Sequence, residues 1–427
     1  MDEKKKIAFY TLGCKLNFSE TSQISRQFDV NKFEIVDFKE KADIYVINTC
    51  VVTEKAEKKS RSAIRQAKKR NPDAIIAAVG CYSELKPEVL SSDKETDVIL
   101  GTSGKFALAE ILDNLNNNIF LSNIESNLKD KFISSYSSGD RTRSFFKIQD
   151  GCDYFCSYCT VPFARGRSRS DTIENTLEKA REIASGGIKE LILTGVNVGD
   201  FGRKNGEKFI DLLKKLDNIE GIERIRISSI EPDLLTNDII EFVASSKKFL
   251  PHFHIPLQSA SDKILLSMKR KYDTALFLEK IKLIKKYMPD CCIAIDLIVG
   301  FPGETDEYFE DSYKFIEDSD ISYLHVFTYS ERKNTVAATM NEVVPHIERT
   351  ARSKKMLALS EKKKNTFYAE NSGKEKYVLF ESDNDKGIMY GFTENYIKVK
   401  TAFDPSLINQ IKNVKLGKIA NDGIFIV

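Results

Sequence analysis

The sequence predicts an α/β chain in three parts. These are an N-terminal α/β parallel-sheet domain, a central partial (βα)6 TIM barrel and a small C-terminal antiparallel β-barrel. Three observations carry this expectation. Continuous apolar runs alternate with helix-patterned segments over most of the chain, as buried parallel strands with crossover helices require. Short alternating runs divided by turn residues replace that pattern near the C-terminus. At 427 residues, the chain exceeds what a single core organises.

In the first part, Lys6–Tyr10, Asp43–Ile47 and Ala74–Val79 are expected as parallel strands of a domain over residues 1–124. A Ser- and Asn-rich stretch with Ser134, Ser135, Ser137, Ser138 and Gly139 marks a linker over 125–143. Six strands are expected in residues 144–370: 145–148, 191–193, 224–227, 252–255, 293–299 and 323–327. Helical patterns lie between them, near 172–184, 209–216, 233–245 and 275–287. Six βα units form an incomplete barrel, whose active groups belong at the strand C-termini. A Lys-rich helix over 347–368 precedes the last part, residues 371–427, where 377–380 and 396–400 read as strands.

Composition narrows the class. Hydrophobic residues at 41%, charged residues at 30%, 10 Pro and 21 Gly exclude a disordered or collagenous chain. No stretch approaches the roughly 18 to 20 apolar residues of a membrane span. The first residues, MDEKKKIAFYTLG, place basic side chains before an apolar run. That run is too short for a signal peptide and lacks a small-residue cleavage site, so a cytoplasmic protein is expected. A net charge of +2 gives no global field to recruit nucleic acid. Locally, Glu54–Arg70 carries eight basic and two acidic side chains. Such a run is either a solvated helix face or a phosphate-contacting surface.

The cysteines carry the chemistry. They are Cys14, Cys50, Cys81, Cys152, Cys156, Cys159, Cys291 and Cys292. A cytoplasmic chain of this length does not need disulfide staples. Cys152, Cys156 and Cys159 form C-x3-C-x2-C directly after the first expected barrel strand, and three thiolates that close hold a metal or cluster. Structural zinc wants a fourth ligand. The first histidine is His252, so no local Cys3His site is open to the first six cysteines. A [4Fe-4S] cluster on three thiolates instead leaves one iron open to a small molecule. Cys14, Cys50 and Cys81 each follow an expected strand, and in an open parallel sheet those ends share one edge. Their common position marks a second metal site. Cys291 and Cys292 read as core and surface alternates of one strand.

The triplet, with Tyr158 before its last cysteine, resembles the radical S-adenosylmethionine (SAM) superfamily. Thr11-Leu12-Gly13-Cys14-Lys15-Leu16-Asn17, Asn48-Thr49-Cys50 and Gly80-Cys81-Tyr82 narrow the match. So do Asp150-Gly151-Cys152, His254-Ile255-Pro256-Leu257-Gln258-Ser259 and Gly300-Phe301-Pro302-Gly303-Glu304-Thr305. Together they resemble the radical SAM methylthiotransferase family over essentially the whole chain. The segment around Cys14 is most similar to the MtaB-like branch, the tRNA N6-threonylcarbamoyladenosine methylthiotransferases.

That resemblance implies two [4Fe-4S] clusters, one per cysteine set, with SAM as both methyl donor and radical source. It implies conversion of N6-threonylcarbamoyladenosine beside the anticodon to its 2-methylthio derivative. The central part becomes a radical SAM barrel and the last part a TRAM-type RNA-binding barrel. Implied SAM contacts are Tyr158 at the adenine, Gly195 and Asn197 at the amino group, and Ser229, Glu231 and Gln258 at the carboxylate or ribose. Each has a plainer reading, since polar residues cap strands and helices and Tyr158 suits a packed loop. Lys333-Asn334 stands where relatives often have Pro-Gly, and Asn tolerates the left-handed turn that Gly would take.

The implied partners are tRNA and a one-electron reductant such as flavodoxin or ferredoxin. A monomer with no membrane association is expected. Candidate RNA contacts are Lys58, Arg61, Arg65 and Lys69 on the basic segment, and Arg165, Arg167 and Arg169 beside the triplet. Tyr377, Phe392 and Tyr396 are further candidates in the last part, where eight Lys against seven acidic residues over 374–427 leave a charge of only +1. Three alternatives remain open. The substrate is isopentenyladenosine in tRNA or a ribosomal-protein aspartate, the N-terminal cluster only relays electrons, or the chain is a non-enzymatic RNA-binding protein with two structural metals.

Overall fold

Apolar runs between helical segments become a parallel sheet when both faces are covered, and the first third of the chain follows that rule. In the computed structural model, residues 4–113, 121–122, 131–139 and 142–427 are described. Part of the expected linker over 125–143 lies outside them. The chain divides into two compact units, one of residues 1–137, 145–153 and 159–171, the other of 138–144, 154–158 and 172–427.

The first unit contains a parallel six-stranded sheet in the order Phe33–Val36, Lys5–Thr11, Ile44–Thr49, Ile75–Gly80, Val98–Leu100, Leu121–Ser122. Ile44–Thr49 is buried along its whole length, as a central strand covered on both faces should be. From Lys5–Thr11 the chain runs outward to Phe33–Val36, whereas from Ile44–Thr49 it runs to the other side. The strand order therefore reverses between Lys5–Thr11 and Ile44–Thr49, and such a switch point opens a crevice at the carboxyl ends of the two strands. Helix Glu54–Arg70 starts at Thr53, whose Oγ1 accepts from the Ala56 N–H at 3.2 Å. Ser60, Ala63, Ile64 and Ala67 face inward; Lys55, Lys58, Lys59, Arg65 and Lys69 are exposed.

In the second unit, Glu190–Thr194 pairs in parallel with Arg224–Ile227, and His252–His254, Cys292–Val299 and Tyr323–Thr328 form a parallel sheet. A bridge between Ser229 and His254 joins the two sets. Helices Ile173–Ser185, Phe209–Leu216, Asn237–Ser245, Thr274–Tyr287 and Asp306–Asp318 alternate with these strands. The remaining expected strand is found at Arg143–Lys147, and its residues 145–147 belong to the first unit.

Three expectations are corrected here. The helix expected from residue 233 begins at Asn237, because Asp233 accepts the Tyr154 hydroxyl at 2.6 Å and Thr236 takes the N-cap position. Cys291 and Cys292 are both fully buried, so neither is a surface alternate; Cys292 packs into the core of the C-terminal sheet. The strand expected from residue 396 starts at Lys398, because Tyr396 occupies a turn at φ +66°.

The C-terminal part is a curled five-stranded sheet in the order Ile411–Lys415, Glu375–Phe380, Ile388–Thr393, Lys398–Ala402, Phe425–Ile426. Its pairs are antiparallel except the last, where Val399 faces Phe425 in parallel. Buried arginines tie it to the barrel strands of the same unit. Arg224 donates to the Thr393 carbonyl at 2.9 Å and Arg226 to those of Thr393 and Glu394 at 2.7 and 2.8 Å. Glu190 pairs with both guanidiniums at 2.8 Å. Among the described residues, no helix is long and apolar enough to cross a membrane.

Candidate active site

The switch point of the first sheet holds the first cysteine set. Cys14 takes the N-cap position of helix Lys15–Ser25 after the first strand. Cys50 directly follows Ile44–Thr49, and Cys81 opens helix Cys81–Leu85 directly after Ile75–Gly80. Gly13 sits at φ +100°, where an added Cβ would lie 3.0 Å from Cys50 Sγ. Glycine thus lets the Cys14 loop close onto Cys50. Burial pushes the Cys50 thiol up to about 11, and the neighbouring Cys81 and Cys14 push it the same way. The structure therefore brings these three thiols together, and none of the eight cysteines is in a disulfide.

Beneath them lies a buried charge network within the same unit. Arg165, 4% exposed, donates to Asn17 at 2.7 Å, to Asp150 at 2.9 Å and to Glu20 at 3.0 and 3.1 Å. Lys105 and Lys147 also reach Glu20, at 2.5 and 2.8 Å, while Lys147 and Arg169 reach Asp150 at 2.9 and 3.2 Å. Burial acts to raise the Glu20 carboxyl, yet Arg165, Lys105 and Lys147 hold it well below the usual range. Four basic side chains face two carboxylates, and burial lowers the pKa of one of them, Lys105. Arg165, Lys147 and Arg169 still outnumber Glu20 and Asp150, a surplus that favours an anionic neighbour. Asn17 and Glu20 follow Cys14, Asp150 precedes Cys152, and Arg165 follows Cys159, so one guanidinium fixes the flanks of three cysteines.

The second cysteine loop is shaped by Gly151 at φ +68°, where an added Cβ would meet the Arg167 carbonyl at 2.1 Å. The Val161 N–H points at Cys159 Sγ at 3.4 Å. In the other unit, Arg270 donates to Cys156 Sγ at 3.0 Å and forms an ion pair with Glu231. Burial pushes the Glu231 carboxyl up to about 7, against the pull of Arg270. Tyr272 donates to the Pro256 carbonyl at 2.6 Å, holding the strand end before Gln258. Gln258 itself stands at φ +64°, and its N–H donates to the Asp296 carbonyl at 2.8 Å.

Comparison with known proteins now identifies the family. Residues 146–316 match the Radical SAM superfamily and residues 6–101 match the Uncharacterized protein family UPF0004. The threonylcarbamoyladenosine tRNA methylthiotransferase MtaB of Bacillus subtilis is 36% identical over 435 residues, 98% of this chain and 96% of that protein. The chain belongs to the radical SAM methylthiotransferase family. The tRNA-2-methylthio-N(6)-dimethylallyladenosine synthase of Clostridium perfringens is 33% identical over 97% of this chain and 95% of its own length. Among solved structures, the radical S-adenosylmethionine methyltransferase TsrM of Kitasatospora setae shares the fold. Its TM-score is 0.56 at 13% identity, over 79% of this chain and 77% of that one.

The residues fit the cofactors of a radical SAM methylthiotransferase. Each set offers three cysteines outside any disulfide and no competing histidine, N–H groups aim at Cys156 and Cys159, and the cationic surplus near Cys81 suits a thiolate-ligated, negatively charged group. Of the SAM contacts that the resemblance implies, Glu231 and Gln258 lie near Arg270 and Asp296 as described, and Ser229 bridges to His254. Tyr158 meets Phe301 edge-on at 6.4 Å, in an apolar cluster with Ile264 and Met268. Gly195 and Asn197 follow strand Glu190–Thr194, with Asn197 buried. Asn334 adopts φ +69°, the left-handed turn expected of it.

The RNA candidates separate. Lys58, Arg65 and Lys69 are exposed and Arg61 is half-buried. Arg165 is withdrawn as a phosphate contact because the Glu20 and Asp150 carboxylates consume it in the interior. Arg169 is mostly buried against Asp150, whereas Arg167 is 65% exposed. Tyr377 is exposed, while Phe392 lies under Arg143 at 4.3 Å and stacks on Tyr396 at 5.0 Å. Tyr396 in turn meets His252 at 4.5 Å and Arg226 at 4.9 Å, so these two rings fasten the C-terminal sheet to the barrel. Sequence reasoning missed Arg270, whose setting in Lys269-Arg270-Lys271 reads as a solvated basic run.

Proposed function

We propose that this chain transfers a methylthio group to C2 of N6-threonylcarbamoyladenosine beside the anticodon of tRNA. The supporting observation is two complete cysteine triplets in one chain whose relatives at 36 and 37% identity are named for threonylcarbamoyladenosine. Further relatives named for threonylcarbamoyladenosine stand at 32 and 34%, and those named for dimethylallyladenosine at 33 and 34%.

Cys152, Cys156 and Cys159 would hold one [4Fe-4S] cluster and Cys14, Cys50 and Cys81 the other. When bound, the clusters and SAM supply the one-electron chemistry, the sulfur and the methyl group. The chain's own residues orient and neutralise. Arg270 sets the Cys156 side chain and restrains Glu231, which with Ser229, Gln258, Gly195 and Asn197 would contact SAM. Arg165 fixes the loops around Cys14, Cys152 and Cys159 and counters their negative charge. We assign residues 1–124 to the second cluster, 144–370 to radical chemistry and 371–427 to RNA contact, in a cytoplasmic enzyme served by a flavodoxin- or ferredoxin-like reductant.

Nucleoside mass spectrometry of tRNA from a deletion strain tests this. Loss of 2-methylthio-N6-threonylcarbamoyladenosine, with accumulation of its unthiolated precursor, is the expected result. Loss of a dimethylallyl derivative instead would reassign the base, and unchanged tRNA would move the substrate to protein.

A further inference from the structure

In strand Tyr323–Thr328 the side chains alternate. Leu324 is buried on the face that helix His346–Asn371 covers, while His325 and Phe327 on the opposite face are 48 and 40% exposed. In a (βα) arrangement the helices cover the outer face of the strands, so the face of this strand away from the helix is the inner one. His325 is in register with Asp296, and Asp296 lies two residues beyond Ala294, the partner of His254. All three side chains therefore project to the same face. His254 Nε2 lies 2.9 Å from Asp296 Oδ1, His325 Nδ1 lies 3.9 Å from the same oxygen, and the two imidazoles are 5.2 Å apart. Ser229 is the bridge partner of His254, and Asp296 stands one residue before Leu297, the bridge partner of Gln258, so the group lies beside both.

We propose that His254, Asp296, His325 and Phe327 form the pocket that recognises the polar N6 substituent of the target base. The proposal rests on the tRNA-methylthiotransferase reading above and names what confers its substrate choice. Phe327, nearer the carboxyl end of its strand, offers a ring face for the adenine. His325 lies two residues deeper, roughly 6.6 Å along the strand, a span comparable to a carbamoyl-linked amino acid. There the imidazole N–H groups suit a carboxylate and Asp296 suits a hydroxyl. A dimethylallyl group in the same place would strip three polar side chains of water and return no hydrogen bond. Sites of this kind reject analogues lacking the polar group far more strongly than apolar pockets reject a change of size.

The test uses reconstituted full-length holoenzyme and one tRNA in three forms, carrying threonylcarbamoyladenosine, dimethylallyladenosine or unmodified adenosine. Wild-type protein should bind the threonylcarbamoyl form at least about tenfold more tightly than the other two, the worth of one hydrogen bond to a charged group. His325→Phe and Asp296→Asn should each bring that ratio to within about threefold. Unchanged affinity for unmodified tRNA reports that each variant is folded, and His325→Asn replaces a variant that fails this check. A ratio retained in both variants, or absent from a wild type that still makes product, overturns the pocket. So does a stoichiometric divalent cation beyond the cluster iron that the variants lose, since these three side chains lie close enough to bind one. A wild type that makes no methylthio product on any of the three tRNAs instead overturns the functional reading, whatever the binding ratio.

Discussion

The Arg270 guanidinium donates to Cys156 Sγ at 3.0 Å with one nitrogen and pairs with Glu231 through another. An arginine so enclosed needs both partners, because burial alone opposes its charge. Hydrogen bonds to cluster sulfurs raise the reduction potential by stabilising the more negative, reduced state.

Arg270→Gln should therefore make the radical SAM cluster harder to reduce and slow reductive SAM cleavage. The clean measurement is a spectroscopic redox titration in a background of Cys14, Cys50 and Cys81 replaced by Ala, so that one cluster reports. A potential equal to that of the same background with Arg270 intact would remove the hydrogen bond from the cluster's environment.

The two cysteine sets separate by stoichiometry and by step. Anaerobically reconstituted protein should hold about eight irons, four per cluster. Replacing Cys152, Cys156 and Cys159 with Ala should halve the iron and abolish SAM cleavage. Replacing Cys14, Cys50 and Cys81 should also halve the iron but leave cleavage measurable while methylthio transfer stops. Product from the second variant would exclude the N-terminal set as sulfur carrier.

How much of this was legible follows from the physics of each signal. Cys14, Cys50 and Cys81 could be placed on one edge because parallel strands announce themselves as apolar runs and the residue after each run is a strand end. The switch point that joins Cys14 to Cys50 depends on strand order, which periodicity does not encode. Arg165 reads as a phosphate contact and Arg270 stands in no motif, because composition does not reveal a distant carboxylate; Glu20 is 145 residues from Arg165. Phe392 and Tyr396 looked like RNA-stacking rings because an aromatic at a half-buried position suits either an interface with nucleic acid or a packed seam. The His254, Asp296 and His325 group spans three strands and leaves no local motif.

The exposed face of helix Glu54–Arg70 gives a salt-dependent prediction. Lys55, Lys58, Arg65 and Lys69 share it, and their only close acidic neighbours among the described residues are Glu54 to Lys58 at 2.7 Å and Glu95 to Arg65 at 3.7 Å. Such exposed pairs contribute little and leave the cations open to phosphate. Reversing these four residues to Glu should weaken tRNA binding strongly at low salt. It should also flatten the slope of log affinity against log salt by about 0.7 to 0.9 for each phosphate that the helix no longer neutralises. Equal slopes for variant and wild type would make this a merely solvated face.

Glu190 provides a pH-dependent prediction in the other unit. Burial acts to raise its carboxyl, but Arg226, Arg224 and Arg143 outweigh that and bring it down to about 2. Because the folded value is depressed, its contribution is complete above the unfolded value near 4.3 and is lost as pH falls towards 2. At 1.36 kcal/mol per tenfold change in proton affinity, roughly 3 kcal/mol is at stake. The guanidiniums it neutralises hold the carbonyls of Thr393 and Glu394, so acid should loosen the C-terminal sheet there. Hydrogen exchange of Phe392–Glu394, corrected for intrinsic rates, should lose protection over that pH window in the wild type. Glu190→Gln should lack much of that protection at neutral pH and show little further loss on acidification. Since Glu20 and Asp150 are also depressed, the first unit should keep its own acid response in this variant. An acid response at Phe392–Glu394 that survives Glu190→Gln would assign the effect to another carboxylate.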